Sequence, residues 1–214
     1  MELGSHYGAF LEVAERWGWQ AIGVDVGRDS TRFARSHGRN VRFGELQDCH
    51  FETASIDGLF LWNCLDQIET PAPVLAEARR ILKPNGLLVV RTPNGHFYRL
   101  CQKFLHEAAL PPETAHFLWE AMAYNNLLGF PYRYGYSRGT LERLIESFQL
   151  HAEGRLNSEL LTLPLPEEPG WVVAEKRQIQ QGVQLLAHSV LRSQEGELLG
   201  PWIEMWFRSG SAWS

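Results

Sequence analysis

Glu2-Leu3-Gly4-Ser5-His6-Tyr7-Gly8 runs straight into an amphipathic stretch, and seventeen residues beyond Gly8 the apolar run Ala21 to Val24 ends at Asp25. Consecutive backbone N–H groups in such a turn, ahead of a helix, can hold a carboxylate or a phosphate without a dedicated cation. A carboxylate at the tip of the next strand can accept both hydrogen bonds of a ribose diol. Together these groups describe half of a nucleoside-binding site, placed where an open α/β sheet forms its crevice. Two later strand ends extend it. Gly44-Glu45-Leu46 offers a backbone N–H and a carboxylate to an adenine edge, and Trp62-Asn63 can line the reactive end of the ligand. Taken alone, the glycines also fit an ordinary strand-to-helix turn with Asp25 as a solvated turn residue; four successive strand ends carrying suitable groups are harder to obtain by chance.

The elements that must position these groups are written in the apolar pattern. Phe10, Leu11, Ala14 and Trp17 recur three or four apart, opposite Glu12, Glu15 and Arg16, which predicts a helix from Gly8 to about Trp19, stopped by Gly18. Ala21 to Val24 is short and continuously apolar, as a strand buried on both faces of a parallel sheet requires. A short helix over Ser30 to His37, a strand at Val41-Arg42-Phe43 and a buried strand over Ile56 to Asn63 follow. Pro73 to Lys83 repeats Val74, Leu75, Ala78, Ile81 and Leu82 at helical spacing, with Arg79, Arg80 and Lys83 at the end where the helix dipole favours cations. Pro84-Asn85-Gly86 predicts its stop. Leu87 to Val90 predicts a strand, ended by a turn at Arg91-Thr92-Pro93-Asn94-Gly95.

Residues 96–135 predict a helical cap over the strand ends, two helices separated at Pro111-Pro112. Ser137 caps a helix carrying Leu141, Leu144, Ile145 and Phe148, and Gln149 to Asn157 supplies a further strand. Val172 to Leu191 reads as helical, and Trp202 to Phe207 as a terminal strand. The alternation of helix and strand is α/β, with a doubly wound, mostly parallel sheet. All 214 residues form one domain in this reading, with the cap inserted in it.

Composition narrows the classes. A net charge of -5, with no block of Lys/Arg longer than two, lacks the footprint of a non-specific nucleic-acid binder. Cys49, Cys64 and Cys101 are an odd number without a CxxC, so neither a disulfide framework nor a structural zinc site is expected, and no metal ligand set is assigned. No apolar run approaches the ~18 residues of a spanning helix. The expectation is a cytoplasmic protein without nucleic-acid or membrane partners.

The same segments resemble class I S-adenosylmethionine-dependent methyltransferases of the small-molecule type. The family's strand-turn-helix is carried by Glu2 to Leu11, its ribose-binding acid by Asp25 in Gly23-Val24-Asp25, and its adenine-side acid by Glu45. Ile56 to Phe60 matches its fourth strand. The most specific match is Ala76-Glu77-Ala78-Arg79-Arg80-Ile81-Leu82-Lys83-Pro84-Asn85-Gly86 followed by Leu87 to Asn94, a helix, turn and strand that dinucleotide-binding dehydrogenases do not share. Three departures stand out. The middle glycine of the opening turn is His6, the family's Glu-His pair after the fourth strand is Asp66-Gln67, and only Met1 precedes Glu2 where the family has a helix and a full first strand. The resemblance therefore implies a seven-stranded, Rossmann-like methyltransferase sheet with a truncated first strand.

It further implies S-adenosyl-L-methionine as cofactor and a small-molecule methyl acceptor as partner, with a homodimer admitted. The implied cofactor-binding residues are Glu2, Gly4, Ser5, His6, Gly8, Asp25, Val26, Glu45, Leu46, Trp62 and Asn63. The methionine tail is expected near Gly4, His6 and Trp62-Asn63, and the adenine between Val26 and Leu46. If the accepting atom is a hydroxyl, a base would help, and His96 and His116 are the catalytic candidates. Tyr98, Trp119, Tyr124 and Phe130 can form an apolar acceptor pocket. Two competing readings predict different ligands: a nicotinamide-dependent oxidoreductase, and a degenerate methyltransferase-fold scaffold that binds no cofactor.

Overall fold

The computed structural model describes residues 1–107, 112, 115–116, 133–158, 170, 174 and 202–210. Seven strands form one sheet: β1 (Glu2–Leu3), β2 (Gly23–Asp25), β3 (Val41–Phe43), β4 (Ile56–Trp62), β5 (Leu82–Pro93), β6 (Leu150–Ser158) and β7 (Trp202–Ser209). Their order is β3-β2-β1-β4-β5-β7-β6. The first five are parallel; β7 lies antiparallel between β5 and β6, so that β6 again runs with the majority. Five helices are described: α1 (Ala9–Arg16), α2 (Arg28–Ser36), α3 (Pro71–Ile81), α4 (Gly95–Glu107) and α5 (Arg138–Glu146). The doubly wound, mostly parallel sheet that the sequence predicts is thus the observed one.

The strand order reverses at β1, which puts its carboxyl end at the crevice between β2 and β4. Two residues suffice because this strand is tied on both sides. Glu2 and Leu3 face Gly23 and Val24 on β2 and Phe60 and Leu61 on β4, the Gly4 amide continues the ladder to Val24 O at 2.8 Å, and the Phe60 amide reaches Met1 O at 3.0 Å.

The main core lies on one sheet face, where Leu59, Leu61, Leu88, Val90, Ile203, Met205 and Phe207 pack against Val74, Leu75, Ala78 and Ile81 of α3 and Leu141 and Ile145 of α5. On the other face Leu11 of α1 and Ala34 of α2 bury Val41. A chain of ring contacts continues from there, Phe10 against Phe60 and Trp62, and Trp19 stacked on Phe60. The Ser137 cap forms as its sequence predicts, as a reciprocal box with Thr140.

Two element boundaries differ from the sequence reading. β5 does not stop at Val90: Arg91, Thr92 and Pro93 stay in the ladder, paired with Glu204, Ile203 and Trp202, because the antiparallel neighbour β7 is long enough to keep pairing them. Pro84-Asn85-Gly86 ends the helix yet sits inside the extended segment as an irregularity, with Asn85 at φ 61° and the register to β4 shifted there. Of the expected cap, residues 95–107 form α4; most of the rest, and the helix expected over Val172 to Leu191, lie outside the described residues.

Ala54 is exposed yet holds φ 53°, a left-handed conformation that costs an L-residue roughly 1 kcal/mol or more. Glycine adopts it freely and no packing is lost. Ala54→Gly is therefore expected to raise the unfolding free energy by about 0.5 kcal/mol, once the greater entropy of an unfolded glycine is subtracted. Urea denaturation checks this, and a destabilised variant would contradict it.

Candidate active site

The carboxyl ends of β1, β2, β3 and β4 open onto a cavity of about 1000 Å³. Eight of the sequence-predicted residues border it: Gly4, His6, Asp25, Val26, Glu45, Leu46, Trp62 and Asn63. The remaining three, Glu2, Ser5 and Gly8, stand behind the wall. Glu2 and Ser5 are buried in the strand and turn, and Gly8 is the N-cap of α1.

The opening turn owes its shape to left-handed backbone at three positions, Gly4 (φ 73°), His6 (φ 46°) and Gly8 (φ 81°). At Gly4 a side chain is excluded twice over, by conformation and because a Cβ would lie 2.9 Å from that of Cys64. At His6 an L-residue takes the strained conformation and is held there, its amide donating to Asp25 Oδ2 at 2.8 Å. Three further amides are spent as well. Those of Gly4 and Ser5 both donate to Val24 O, at 2.8 and 3.3 Å, and that of Gly8 donates to Ser5 O at 2.7 Å. The turn is therefore not the anion cradle that its glycines suggest, because four of its amides bond within the chain. What it gives the cavity is close approach.

Asp25 is buried at the tip of β2 and ties three segments together. Besides the His6 amide on Oδ2, its Oδ1 accepts the Gly27 amide at 2.7 Å and the Ser30 hydroxyl at 3.0 Å. Across the cavity, Asn63 ends β4 in a left-handed conformation (φ 55°), its amide on Arg91 O and its carbonyl held by Gln67 Nε2 at 2.7 Å. Gln67, which has no basic form, thus has a positional role in fixing the strand-end turn. Trp62 Nε1 and Asn63 Oδ1 are buried without a partner in the chain, one a donor and one an acceptor. Glu45 is exposed at the β3 end and accepts from Gln47 Nε2. Val26, 68% exposed, and Leu46, buried in the main core, both border the cavity.

The far wall comes from distant sequence. The amides of Arg133 and Tyr134 donate to Asp66 O at 2.7 and 3.1 Å, Tyr134 Oη donates to Glu69 O at 2.7 Å, and Arg133 pairs with Glu69 at 3.5 Å. Burial pushes the Asp66 carboxyl up to about 6, while its own backbone and the Thr92 hydroxyl draw it back. Burial likewise pushes the Tyr136 phenol up to about 12, with Tyr134 and Asp66 adding to it. The Cys64 thiol is pushed up too, by burial and then by the Asp66, Glu2 and Asp25 carboxylates, and donates to Leu3 O at 3.2 Å. A thiol so held is a wall residue and not a nucleophile.

Neither histidine proposed as a base borders this cavity. Because β5 runs on to Pro93, His96 falls in the first turn of α4, with its amide on Asn94 Oδ1, and His116 is an exposed helical residue. Tyr98 is buried on α4 and borders a separate cavity of about 290 Å³; Trp119, Tyr124 and Phe130 lie outside the described residues. Sequence reasoning missed Gly27, Ser30, Cys64, Gln67, Glu69 and Arg133 among the lining residues. Asp25-x-Gly27 carries the signature of an Asx turn and could have been found. Gln67 and Arg133 carry no local signal.

Behind the wall, burial pushes Glu2 up to about 8, the Met1 ammonium pulling back and Asp25 adding to the shift. A carboxyl raised in the folded state is protonated there and ionised in the unfolded chain, so stability is unaffected below pH 4.5, declines through the interval to about 8 and stays reduced above it. The Met1 ammonium, lowered by burial, titrates with the opposite sign. Glu2→Gln isolates the acid: a gain on the order of 2 kcal/mol at pH 9 and none at pH 4 is expected from denaturant titrations. Parallel curves for the two proteins would contradict it.

Residues 1–90 match a family model described as a methyltransferase domain. A curated relative, an uncharacterized 37.1 kDa protein in a transposon of Streptomyces fradiae, is 34% identical over 80 residues, covering 35% of this chain and 23% of the relative. The chain spans only 23% and 34% of the length of the curated relatives it matches. An S-adenosylmethionine-dependent methyltransferase from Mesorhizobium loti superposes with a TM-score of 0.62 at 15% identity, over 97% of this chain and 88% of that one. Geranyl diphosphate C-methyltransferase from Streptomyces coelicolor, solved with Mg2+, geranyl diphosphate and S-adenosyl-L-homocysteine, gives 0.59 at 13% identity, over 97% and 69%. At such identities the structural likeness establishes the fold.

Proposed function

We propose, from the match of residues 1–90 to the methyltransferase-domain family model and from the class I S-adenosylmethionine-dependent methyltransferase fold of the chain, that the protein transfers a methyl group from S-adenosyl-L-methionine to a small-molecule acceptor. The observation that carries this reading is the single cavity shared by the opening turn, Asp25, the β3 end and the β4 end. The residues present fit the cofactor. Asp25 would take sugar hydroxyl, Val26 and Leu46 would flank the adenine beside Glu45, and Gly4 and His6 would approach the amino-acid tail. The unpartnered Asn63 Oδ1 can accept from its ammonium, and Trp62 Nε1 can donate to its carboxylate. Glu2, Ser5 and Gly8 support that wall from behind.

The cofactor supplies a methyl group on a sulfonium whose leaving group is neutral, so the chain need only align the reactants and exclude water. At about 1000 Å³ the cavity reaches the upper end of ordinary ligand pockets, which leaves room for an acceptor beside the cofactor. Gln67, Glu69 and Arg133 bound that room. His96 and His116 are not given the role of base, since neither borders the cavity.

Isothermal titration calorimetry tests the reading. One site per chain for S-adenosyl-L-methionine and S-adenosyl-L-homocysteine, with no heat from NAD, is expected. Absence of binding by either adenosyl compound would sink the proposal.

A further inference from the structure

Gly95, Tyr98, Arg99 and Gln102 stand at i, i+3, i+4 and i+7 of α4, which aligns them along one face of the helix. Pro93 at the end of β5 and Gly135 of the returning segment meet that face and bound a second cavity, of about 290 Å³. None of its described lining residues borders the main cavity. We propose that this second cavity binds a small organic carboxylate, with the Arg99 guanidinium as its anion receptor and Gln102 as a further polar contact. The inference does not rest on the adenosyl reading, because the two cavities share no described residue.

Charge decides the sign of the ligand. Among the described lining residues Arg99 is the one charged group, and no described residue offers it a carboxylate or a hydrogen bond. Arg133 in the main cavity, by contrast, already has Glu69. A guanidinium presents its N–H groups as a planar fork that meets both oxygens of a carboxylate at once, and such charge-assisted pairs are the strong ones. One fork answers one unit of charge. A phosphate, at about −1.5 to −2 near pH 7, would keep part of its charge unanswered. Size limits the rest: the volume is that of about ten waters in the liquid at ~30 Å³ each, so the ligand has on the order of ten non-hydrogen atoms. Pro93 and Tyr98 are buried and give its carbon body an apolar wall, the Tyr98 ring held edge-on against Phe97 with centroids 5.5 Å apart. Two glycines let backbone meet backbone at the edge of this wall, since a Cβ on Gly95 would fall 2.3 Å from Gly135 O. Arg99 and Gln102 are exposed, so a ligand enters from solvent without displacing a packed side chain.

Benzoate, titrated into the wild-type chain, Arg99→Gln and Arg99→Lys while amide and Arg99 Nε chemical shifts are followed by NMR, tests this, with uncharged benzamide and inorganic phosphate as comparisons. In the wild type benzoate is expected to give saturable shifts at Gly95, Gln102, Gly135 and Arg99 Nε, and benzamide and phosphate to bind at least about 10-fold more weakly. Arg99→Gln, an exposed helical substitution that leaves the fold intact, loses about 10-fold or more in benzoate affinity; Arg99→Lys, which keeps the charge without the fork, loses about 3-fold. An unchanged affinity in Arg99→Gln, or benzamide or phosphate binding as tightly as benzoate, would overturn the inference. So would the absence of saturable shifts on α4, or shifts confined to the amides around Gly4 and Asn63, which would put benzoate in the main cavity. S-adenosyl-L-homocysteine in the same measurement moves those main-cavity amides; its failure to do so sinks the methyltransferase reading and leaves the carboxylate site standing.

Discussion

Asp25→Ala is expected to cost at least about 100-fold in affinity for S-adenosyl-L-homocysteine and about 2 kcal/mol in unfolding free energy. The stability loss follows from the three donors that converge on this carboxylate. Two are backbone amides, of His6 and Gly27, and the third is the buried Ser30 hydroxyl, which keeps Gly27 O as an acceptor at 2.9 Å; an unanswered buried amide costs roughly 1–3 kcal/mol, less where water can reach it. The cavity lies against Asp25, so water can serve the two amides in part and the lower end of that range applies to each. The affinity loss is larger than one missing acceptor explains, because His6 keeps its left-handed backbone only while its amide is held, and the opening turn relaxes with it. Calorimetry and denaturant titration on the same preparation measure both. A variant that binds within 3-fold of wild type would show that the turn and the β2 tip do not form the cofactor wall.

Gly95→Ala should have the opposite signature, with cofactor affinity preserved and acceptor binding weakened. Its Cβ would fall 2.3 Å from Gly135 O, a collision of backbone with backbone that no rotamer relieves. The Gly95 amide donates to Tyr136 O at 2.7 Å, so the collision pushes apart the segment that this bond holds. That segment also carries Arg133 and Tyr134, whose amides cap Asp66 O and whose side chains engage Glu69 at the far side of the cavity. Destabilisation of about 3 kcal/mol is expected, with KM for the acceptor raised severalfold and the S-adenosyl-L-homocysteine Kd within about 2-fold of wild type. Equal weakening of both ligands would place the acceptor somewhere other than beside Arg133.

The sequence by itself determined the sheet, its strand-end acid and much of the cavity wall. Continuous apolar runs bounded by glycine and polar turns can be satisfied only as buried parallel strands, and period-3.6 segments between them only as covering helices. Asp25, Glu45 and Trp62-Asn63 were legible for the same reason, since each closes such a run and a parallel sheet aligns all its strand ends on one edge. Tertiary structure alone decided how those groups are used. Hydrogen-bond partners are chosen by distance in space, and nothing local announces that the amides of Gly4, Ser5 and His6 are spent on Val24 and Asp25, that β7 extends β5 to Pro93, or that Arg133 returns to Asp66. A residue's type and neighbours set what bonds it can make. Which lone pairs remain for a ligand is settled only when the chain closes on itself.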